Sequence, residues 1–425
     1  MAITEQSKCT IKHLNNQGLG VGRTNIGEVL LPNTLPGEEV SFERHEYRAQ
    51  TNFILKEIIT ESLERVSPPC KYFGACGGCL LQHLNEEAYR EFKLKQLKNT
   101  LSSANIETII NDLITIPPGH RRRANFEAIK KNDQIYLGFK RFHSHQIINI
   151  EECPALSTEL SQLIPALKNI LIEVLKPQEK IQIFLTQADN GIDILIEGKE
   201  QWNFNKDKLE IFNIFAIKYK IIRLTYSYNN RSVIIVDITT PYVLFDNIKV
   251  EVNAKCFLQS SDLSDKILSD KIIEYLQSSS LPKKIVDLFC GRGTFTLPLS
   301  KYAEVHAYES DTAALSALQQ ATNESNRSIK NMMRDLFKSP LNSQELNLYD
   351  FCVINPPRAG AKAQCAELSK SNIERIIYIS CNPETFARDA KILISGGYQV
   401  IEVTPVDQFY WNPHLEVVGY FERVR

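Results

Sequence analysis

No stretch of this chain stays apolar for the length that a membrane span needs, and its N-terminus lacks a basic segment followed by an apolar run and a cleavage site. Membrane insertion and export are therefore not expected, and the cytoplasm is the predicted compartment. Net charge is missing as well: 49 Lys and Arg against 50 Asp and Glu leave −1. A nucleic-acid partner would have to meet local rather than global positive charge. In a reducing compartment the ten cysteines are ligands, nucleophiles or core residues rather than disulfides. What remains is an ordinary globular composition over 425 residues, 43% hydrophobic and 23% charged, enough for two to four domains.

Residues 1–62 alternate short β-like runs with turn residues: Cys9-Thr10-Ile11, the glycine-rich Gln17 to Gly22, Glu28 to Pro32, then Leu35-Pro36-Gly37-Glu38 and an apolar segment around Phe53-Ile54-Leu55. Short strands at this spacing predict a small barrel, an architecture that binds nucleic acids or oligosaccharides and also serves as an accessory module. Six Lys and Arg against eight Glu do not decide between those uses.

Cys70, Cys76 and Cys79 then crowd into one glycine-rich loop, which predicts a metal-binding turn rather than a core. Cys153, followed by Pro154, is the best candidate for a fourth thiolate. An iron–sulfur cluster and a tetrahedral zinc both suit four thiolates. Between these cysteines the periodicity of Ala88, Phe92, Leu97 and Leu101 predicts a helix over 86–101. Residues 119–145 carry seven Lys and Arg, including Arg121-Arg122-Arg123, against Glu127 and Asp133. A phosphate-binding surface and a solvated charged strand are both consistent with that run. Residues 160–245 mix β runs with helix-like segments and are expected to be an α+β scaffold.

From Lys283 onward the pattern becomes strand-then-helix, the signature of a parallel α/β sheet. The strand Lys284 to Phe289 runs into Cys290-Gly291-Arg292-Gly293 and a predicted helix over 296–302. Only two glycines are present, so the dinucleotide fingerprint is incomplete, but such a turn still lets a ligand approach backbone and a helix N-terminus. Glu309 closes the next strand, about 20 residues on, where a carboxylate can accept hydrogen bonds from both hydroxyls of a ribose. Asp335 is placed to meet an adenine edge, and Asn355 precedes the rigid turn Pro356-Pro357. Finally Arg375-Ile376-Ile377-Tyr378-Ile379-Ser380 reads as a covered strand that stops at Cys381-Asn382-Pro383. Cys381 thus sits at a strand's carboxyl end, where open α/β sheets gather chemistry, although most free cysteines are small buried hydrophobes.

These motifs together resemble the RNA uracil-5-methyltransferase family, most closely its bacterial 23S rRNA branch with a TRAM barrel and a 4Fe–4S cluster. The resemblance spans the chain: Asp287-Leu288-Phe289-Cys290-Gly291-Arg292-Gly293, Asn355-Pro356-Pro357-Arg358, Ser380-Cys381-Asn382-Pro383 and His414-Leu415-Glu416 follow in the family's order. It implies a barrel over 1–62, a central α+β domain over 63–250 holding the cluster on Cys70, Cys76, Cys79 and Cys153, and a Rossmann-like methyltransferase domain over 251–425. It further implies Cys381 as nucleophile and Glu416 as base, with Gln259, Phe289, Thr294, Glu309, Asp335 and Asn355 contacting S-adenosylmethionine. Two positions depart from the family: Asn355 stands where Asp is usual, and Thr294 where the nearest relatives often carry Asn. The implied partner is RNA, 23S rRNA first, acted on by a monomer without a membrane or protein partner. A tRNA-directed enzyme and a decayed RNA-binding protein are the alternatives.

Overall fold

In the computed structural model, which describes residues 6–25, 27–47, 50–229 and 231–424, the N-terminal β runs become five antiparallel strands. In chain order they are Gln6–Leu14, Gly20–Thr24, Gly27–Leu31, Glu39–Tyr47 and Gln50–Thr60; across the sheet the order is third, second, first, fourth, fifth. Alternate side chains turn inward, so Cys9, Ile11, Val29, Leu31, Val40 and Phe42 make one core on one face of the sheet. The turn Leu35 to Glu38 is held by charge: buried Glu38 accepts the Leu35 N–H at 2.8 Å and is forked by Arg65 at 2.5 and 2.9 Å.

This sheet belongs to a unit formed by Met1–Gln96, Phe139–Ile148 and Phe409–His414. The cysteine loop lies in the same unit, tied down by the Gly77 N–H on the Lys140 carbonyl and by the Leu80 and Leu81 N–H groups on the Trp411 carbonyl. The helix expected from residue 86 is present as Glu86–Ser103.

A second unit takes Leu97–Gly138, Asn149–Gln408 and Leu415–Arg425. The α+β region contributes a six-stranded sheet ordered Arg231–Asp237, Ile221–Tyr228, Gly191–Gly198, Lys180–Ala188, Arg123–Lys131, Gln134–Gly138. The larger sheet has nine strands. Its main run is ordered Ile329–Met333, Glu304–Glu309, Lys284–Leu288, Phe351–Ile354, Arg375–Ser380, Glu416–Arg423, Tyr398–Asp407. The first five are parallel, and Glu416–Arg423 enters antiparallel between Arg375–Ser380 and Tyr398–Asp407. Chain order reverses between Lys284–Leu288 and Phe351–Ile354, the switch point at which α/β sheets bind ligands.

Ile376, Ile377, Tyr378 and Ile379 are fully buried, as a strand covered on both faces requires. Each such side chain contributes roughly 1.5–3 kcal/mol. The helix expected over 296–302 is shorter, Thr296–Leu299, and tightens at its end into turns in which the Lys301 and Tyr302 N–H groups reach the Pro298 and Leu299 carbonyls. Among the described residues no helix is long and apolar enough to cross a membrane.

Candidate active site

The strand Lys284–Leu288 ends in a turn with positive φ at Phe289 (62°), Gly291 (54°) and Gly293 (91°). The turn is closed by the Gly293 N–H on the Cys290 carbonyl and tied to the neighbouring strand by the Cys290 N–H on the Tyr308 carbonyl. Glu309, at the end of the neighbouring strand, holds that turn: its Oε2 accepts the Gly291 N–H at 3.0 Å, while Oε1 accepts the Ser310 and Asp311 N–H groups at 2.6 and 2.9 Å. The Ser310 hydroxyl also donates to Oε1, at 3.2 Å, so Oε1 is fully engaged; Oε2 has a single donor and keeps one acceptor site for a ribose hydroxyl.

Asp335 accepts the Phe337 and Lys338 N–H groups and pairs with the Lys338 ammonium at 3.1 Å, which keeps its carboxyl below the usual range. The turn so formed sets the exposed Phe337 ring 5.3 Å from Phe289, tilted by 54°. Two rings from two strand ends make an apolar wall for a planar group. Phe337 is a residue that sequence reasoning left unassigned; its signal is an apolar side chain two places after an acidic turn residue.

Asn355 is half-buried where its strand stops, its N–H on the Leu288 carbonyl at 3.2 Å. Thr294 is half-buried, and its carbonyl accepts the Ser269 hydroxyl.

At the other side of the switch point, Cys381 separates the strand Arg375–Ser380 from the helix Pro383–Ser395. The local sequence dictates this. Asn382 caps the helix by accepting the Glu384 N–H at 3.0 Å, and Pro383 suits the first helical position. Ser380 is paired with Val417 on the antiparallel strand, so Cys381 leaves the sheet next to Glu416, which opens its own strand and stays paired with Val406. Glu416 is buried, and burial pushes its carboxyl up to about 7 against an opposing hydrogen bond from Gln408. Burial also pushes the Cys381 thiol up to about 11; the Glu416 charge adds to this and Arg358 opposes it.

The expected cofactor contact Gln259 meets this pair through Gln408. The Gln408 amide donates to Glu416 Oε2 at 2.7 Å and to Gln259 Oε1 at 3.0 Å. Nothing in the sequence around Gln408 announces it, because a lone glutamine after a strand carries no pattern.

The basic run is corrected by the fold. Arg122 is buried, ion-paired with Asp265 at 2.6 Å and donating to the Gln259 carbonyl at 3.2 Å. Burial lowers Arg123 to about 10, and its guanidinium donates to the Cys256 carbonyl. Of the three arginines only Arg121 is exposed; Arg122 and Arg123 are turned inward onto Asp265 and the carbonyls of Gln259 and Cys256, just before and at the start of the strand Arg123–Lys131.

The expected metal ligands are placed as follows. In the first unit, Cys70, Cys76 and Cys79 are half-buried; the Gly78 N–H points at Cys76 Sγ at 3.4 Å, and burial raises the Cys76 thiol with a smaller push from Cys70. Cys153, in the second unit, has its N–H on the Ser161 hydroxyl at 2.9 Å. Among the described residues no three His, Cys, Asp or Glu side chains are disposed to hold a metal ion, so the expected four-cysteine site does not stand assembled in this structure.

A parallel sheet with one antiparallel strand inserted near its edge, a glycine turn and an acidic strand end at the switch point together define the nucleoside-binding methyltransferase class. A family model for tRNA (uracil-5-)-methyltransferases matches residues 86–424, and the chain belongs to that family of S-adenosylmethionine-dependent RNA methyltransferases. It is 36% identical over 422 residues, 97% of this chain and 99% of the other, to an uncharacterised RNA methyltransferase of Agrobacterium fabrum. To the 23S rRNA (uracil(1939)-C(5))-methyltransferase RlmD of Vibrio vulnificus it is 29% identical over 99% of this chain and 97% of that protein. The crystal structure of Pyrococcus abyssi tRNA (uracil-54, C5)-methyltransferase in complex with S-adenosyl-L-homocysteine shares the fold, with a TM-score of 0.73 and 24% identity over 98% of this chain and 100% of that one.

Proposed function

We propose that this chain methylates C5 of a uridine in 23S rRNA through a covalent adduct between Cys381 and C6 of the base. The observation that carries the reading is the meeting of a cysteine and a buried carboxylate at one sheet end, which also bears the glycine turn held by Glu309. C5 of uracil is a weak carbon nucleophile. Addition of the Cys381 thiolate to C6 turns the ring into an enolate with its electron density at C5, which divides one hard step into easier ones. Once C5 carries the methyl group that S-adenosylmethionine would supply in leaving as S-adenosylhomocysteine, Glu416 removes the C5 proton and the C6–S bond breaks to return the thiolate.

S-adenosylmethionine, held by Gln259, Phe289, Thr294, Glu309, Asp335 and Asn355, supplies the methyl group as a sulfonium. Burial raises both groups, and the Glu416 charge adds to the rise of the thiol, so free Cys381 and Glu416 retain protons into the neutral range. Asn355 can orient a ligand by donating and accepting hydrogen bonds, but it holds no charge and takes no proton.

Substrate choice follows the Vibrio relative, similar over nearly the full length of both chains. The N-terminal sheet and Arg121 hold RNA flanking the target, and the uridine is flipped into the site. Cys70, Cys76, Cys79 and Cys153 are read as ligands of a 4Fe–4S cluster on donor chemistry alone, supported by the N–H directed at Cys76 Sγ. Methyl transfer requires no electron from it. Anaerobic purification should then yield iron and labile sulfide in equal amounts, both lost in Cys76→Ser.

The deciding experiment uses tritium-labelled S-adenosylmethionine with 23S rRNA and with bulk tRNA, followed by nucleoside analysis. Label in 5-methyluridine from rRNA supports the proposal. Label in tRNA alone overturns the substrate, and Cys381→Ala with full activity overturns the mechanism.

A further inference from the structure

Gln408 stands at a junction that the proposed chemistry has not used. It follows directly on the strand Tyr398–Asp407 and is buried. Its side-chain oxygen accepts the Ser260 N–H at 3.2 Å, and its backbone carbonyl accepts the Ser260 hydroxyl at 2.9 Å. A backbone N–H can only donate and a carboxylate can only accept, so these two neighbours settle which end of the amide is which. Its nitrogen therefore faces Glu416 and Gln259, and each of its two hydrogens has a named acceptor. The segment it grips is itself fixed from behind: Arg122 donates its N–H to the Ser260 carbonyl at 2.9 Å and its Nε to the Gln259 carbonyl. Gln259 meanwhile uses its side-chain oxygen on Gln408, leaving its own amide hydrogens directed elsewhere.

We infer that Gln408 is a positioning residue that aims and ionises the Glu416 carboxylate and links it mechanically to Gln259, so that filling the cofactor site and readying the base are one event. The inference rests on the reading of Glu416 as base and Gln259 as cofactor contact. The physical reason is local. Glu416 loses its water on burial, and the Gln408 N–H is the donor that restores part of the lost solvation to the anion. With Oε2 engaged, Oε1 is the oxygen presented to a proton. The ionisable group of the neighbouring strand end is Cys381, whose thiol senses the Glu416 charge and that of Arg358; on Glu416 itself burial and the Gln408 hydrogen bond are the influences. A second consequence concerns ligands: a cofactor that moves Gln259 pulls on the same amide nitrogen that holds the base.

The test compares Gln408→Met, which keeps volume and removes the donor, with Gln408→Glu, which keeps length and sets a second carboxyl beside Glu416. Each is assayed from pH 5.5 to 10 with saturating RNA, and Glu416→Gln is run in parallel. Losing a donor to the anion raises the carboxyl's proton affinity, so the acid limb of the rate profile should move upward by about one pH unit. The rate then falls about tenfold on the acid limb, about fivefold at pH 7, and recovers at high pH. The denaturant-resistant RNA adduct should accumulate in both variants, because proton removal is the slowed step, and KM for RNA should not change.

A wild-type profile in both variants overturns the inference, as does a uniform loss at every pH without adduct. If Gln408→Met unfolds, which thermal denaturation reveals, Gln408→Glu decides alone. Full turnover by Glu416→Gln would instead remove the base assignment itself, separating that failure from this one.

Discussion

Cys381 leaves its strand beside Glu416, one residue beyond the last antiparallel pair, Ser380 with Val417. The carboxylate raises the thiol and Arg358 lowers it, both acting on a group already raised by burial. Alkylation of Cys381 by iodoacetamide should therefore be slow at pH 7 and climb steeply toward about 11. Glu416→Gln removes the anion and should speed alkylation several-fold at pH 8, whereas Arg358→Ala should slow it. Peptide mapping of the labelled protein reads this residue by residue. Equal rates in all three proteins would show that the thiol does not sense either charge.

Gly293 has a φ of 91°, a conformation that side chains disfavour, and a Cβ there would lie 2.5 Å from Leu318 Cδ1. Gly293→Ala must shift the turn that Glu309 holds, with strain of order 1–3 kcal/mol. Affinity for S-adenosylmethionine should drop about tenfold or more by calorimetry, with the unfolding temperature changing by only a few degrees. Unchanged affinity would detach this turn from cofactor binding.

Arg122 and Asp265 form a buried pair, and burial lifts the Asp265 carboxyl to about 6 despite its partner. Arg122→Met strands that carboxylate, at a cost of roughly 3–5 kcal/mol. Without the arginine the carboxyl rises further, so it stays protonated when folded and ionises when unfolded. The loss should therefore be greater at pH 8 than at pH 5, as denaturant titrations at both values would reveal. Arg122→Met/Asp265→Asn should recover part of it. A loss independent of pH would mean the pair contributes by shape alone.

Asp287 is fully buried, accepts the Thr296 hydroxyl at 2.5 Å through Oδ2, and has no hydrogen-bond partner for Oδ1. Burial raises it from 3.8 to about 7. Between these values the folded chain binds the proton more tightly than the unfolded chain, so stability falls as pH rises, by up to about 1.4 kcal/mol per unit. Asp287→Asn abolishes that slope and should raise the unfolding temperature relative to wild type at pH 8 but not at pH 4. The reverse ordering would mean that the ionised form is the one the fold stabilises.

Much of the site was legible because its signals are local. Asn382 and Pro383 specify a strand-to-helix break by capping and by a fixed φ, so Cys381 is delivered to a strand end whatever surrounds it. The turn at Gly291 and Gly293 and the placement of Glu309 after the next strand follow in the same way from backbone freedom and β periodicity. Through-space relations were not legible. Gln408 and Gln259 are 149 residues apart, and Arg122 and Asp265 are 143 apart; no local pattern announces either bond. The arginine run shows the limit most plainly, since charge counting reads three cations as surface while distant partners, Asp265 and the Gln259 carbonyl, bury the middle one. The amino-acid order by itself determined which residues stand at the ends of strands and turns, because dihedral preference and capping act over a few residues. Only the tertiary structure decided which of those ends meet and which charges lose their water, because register and burial arise when distant segments share one core.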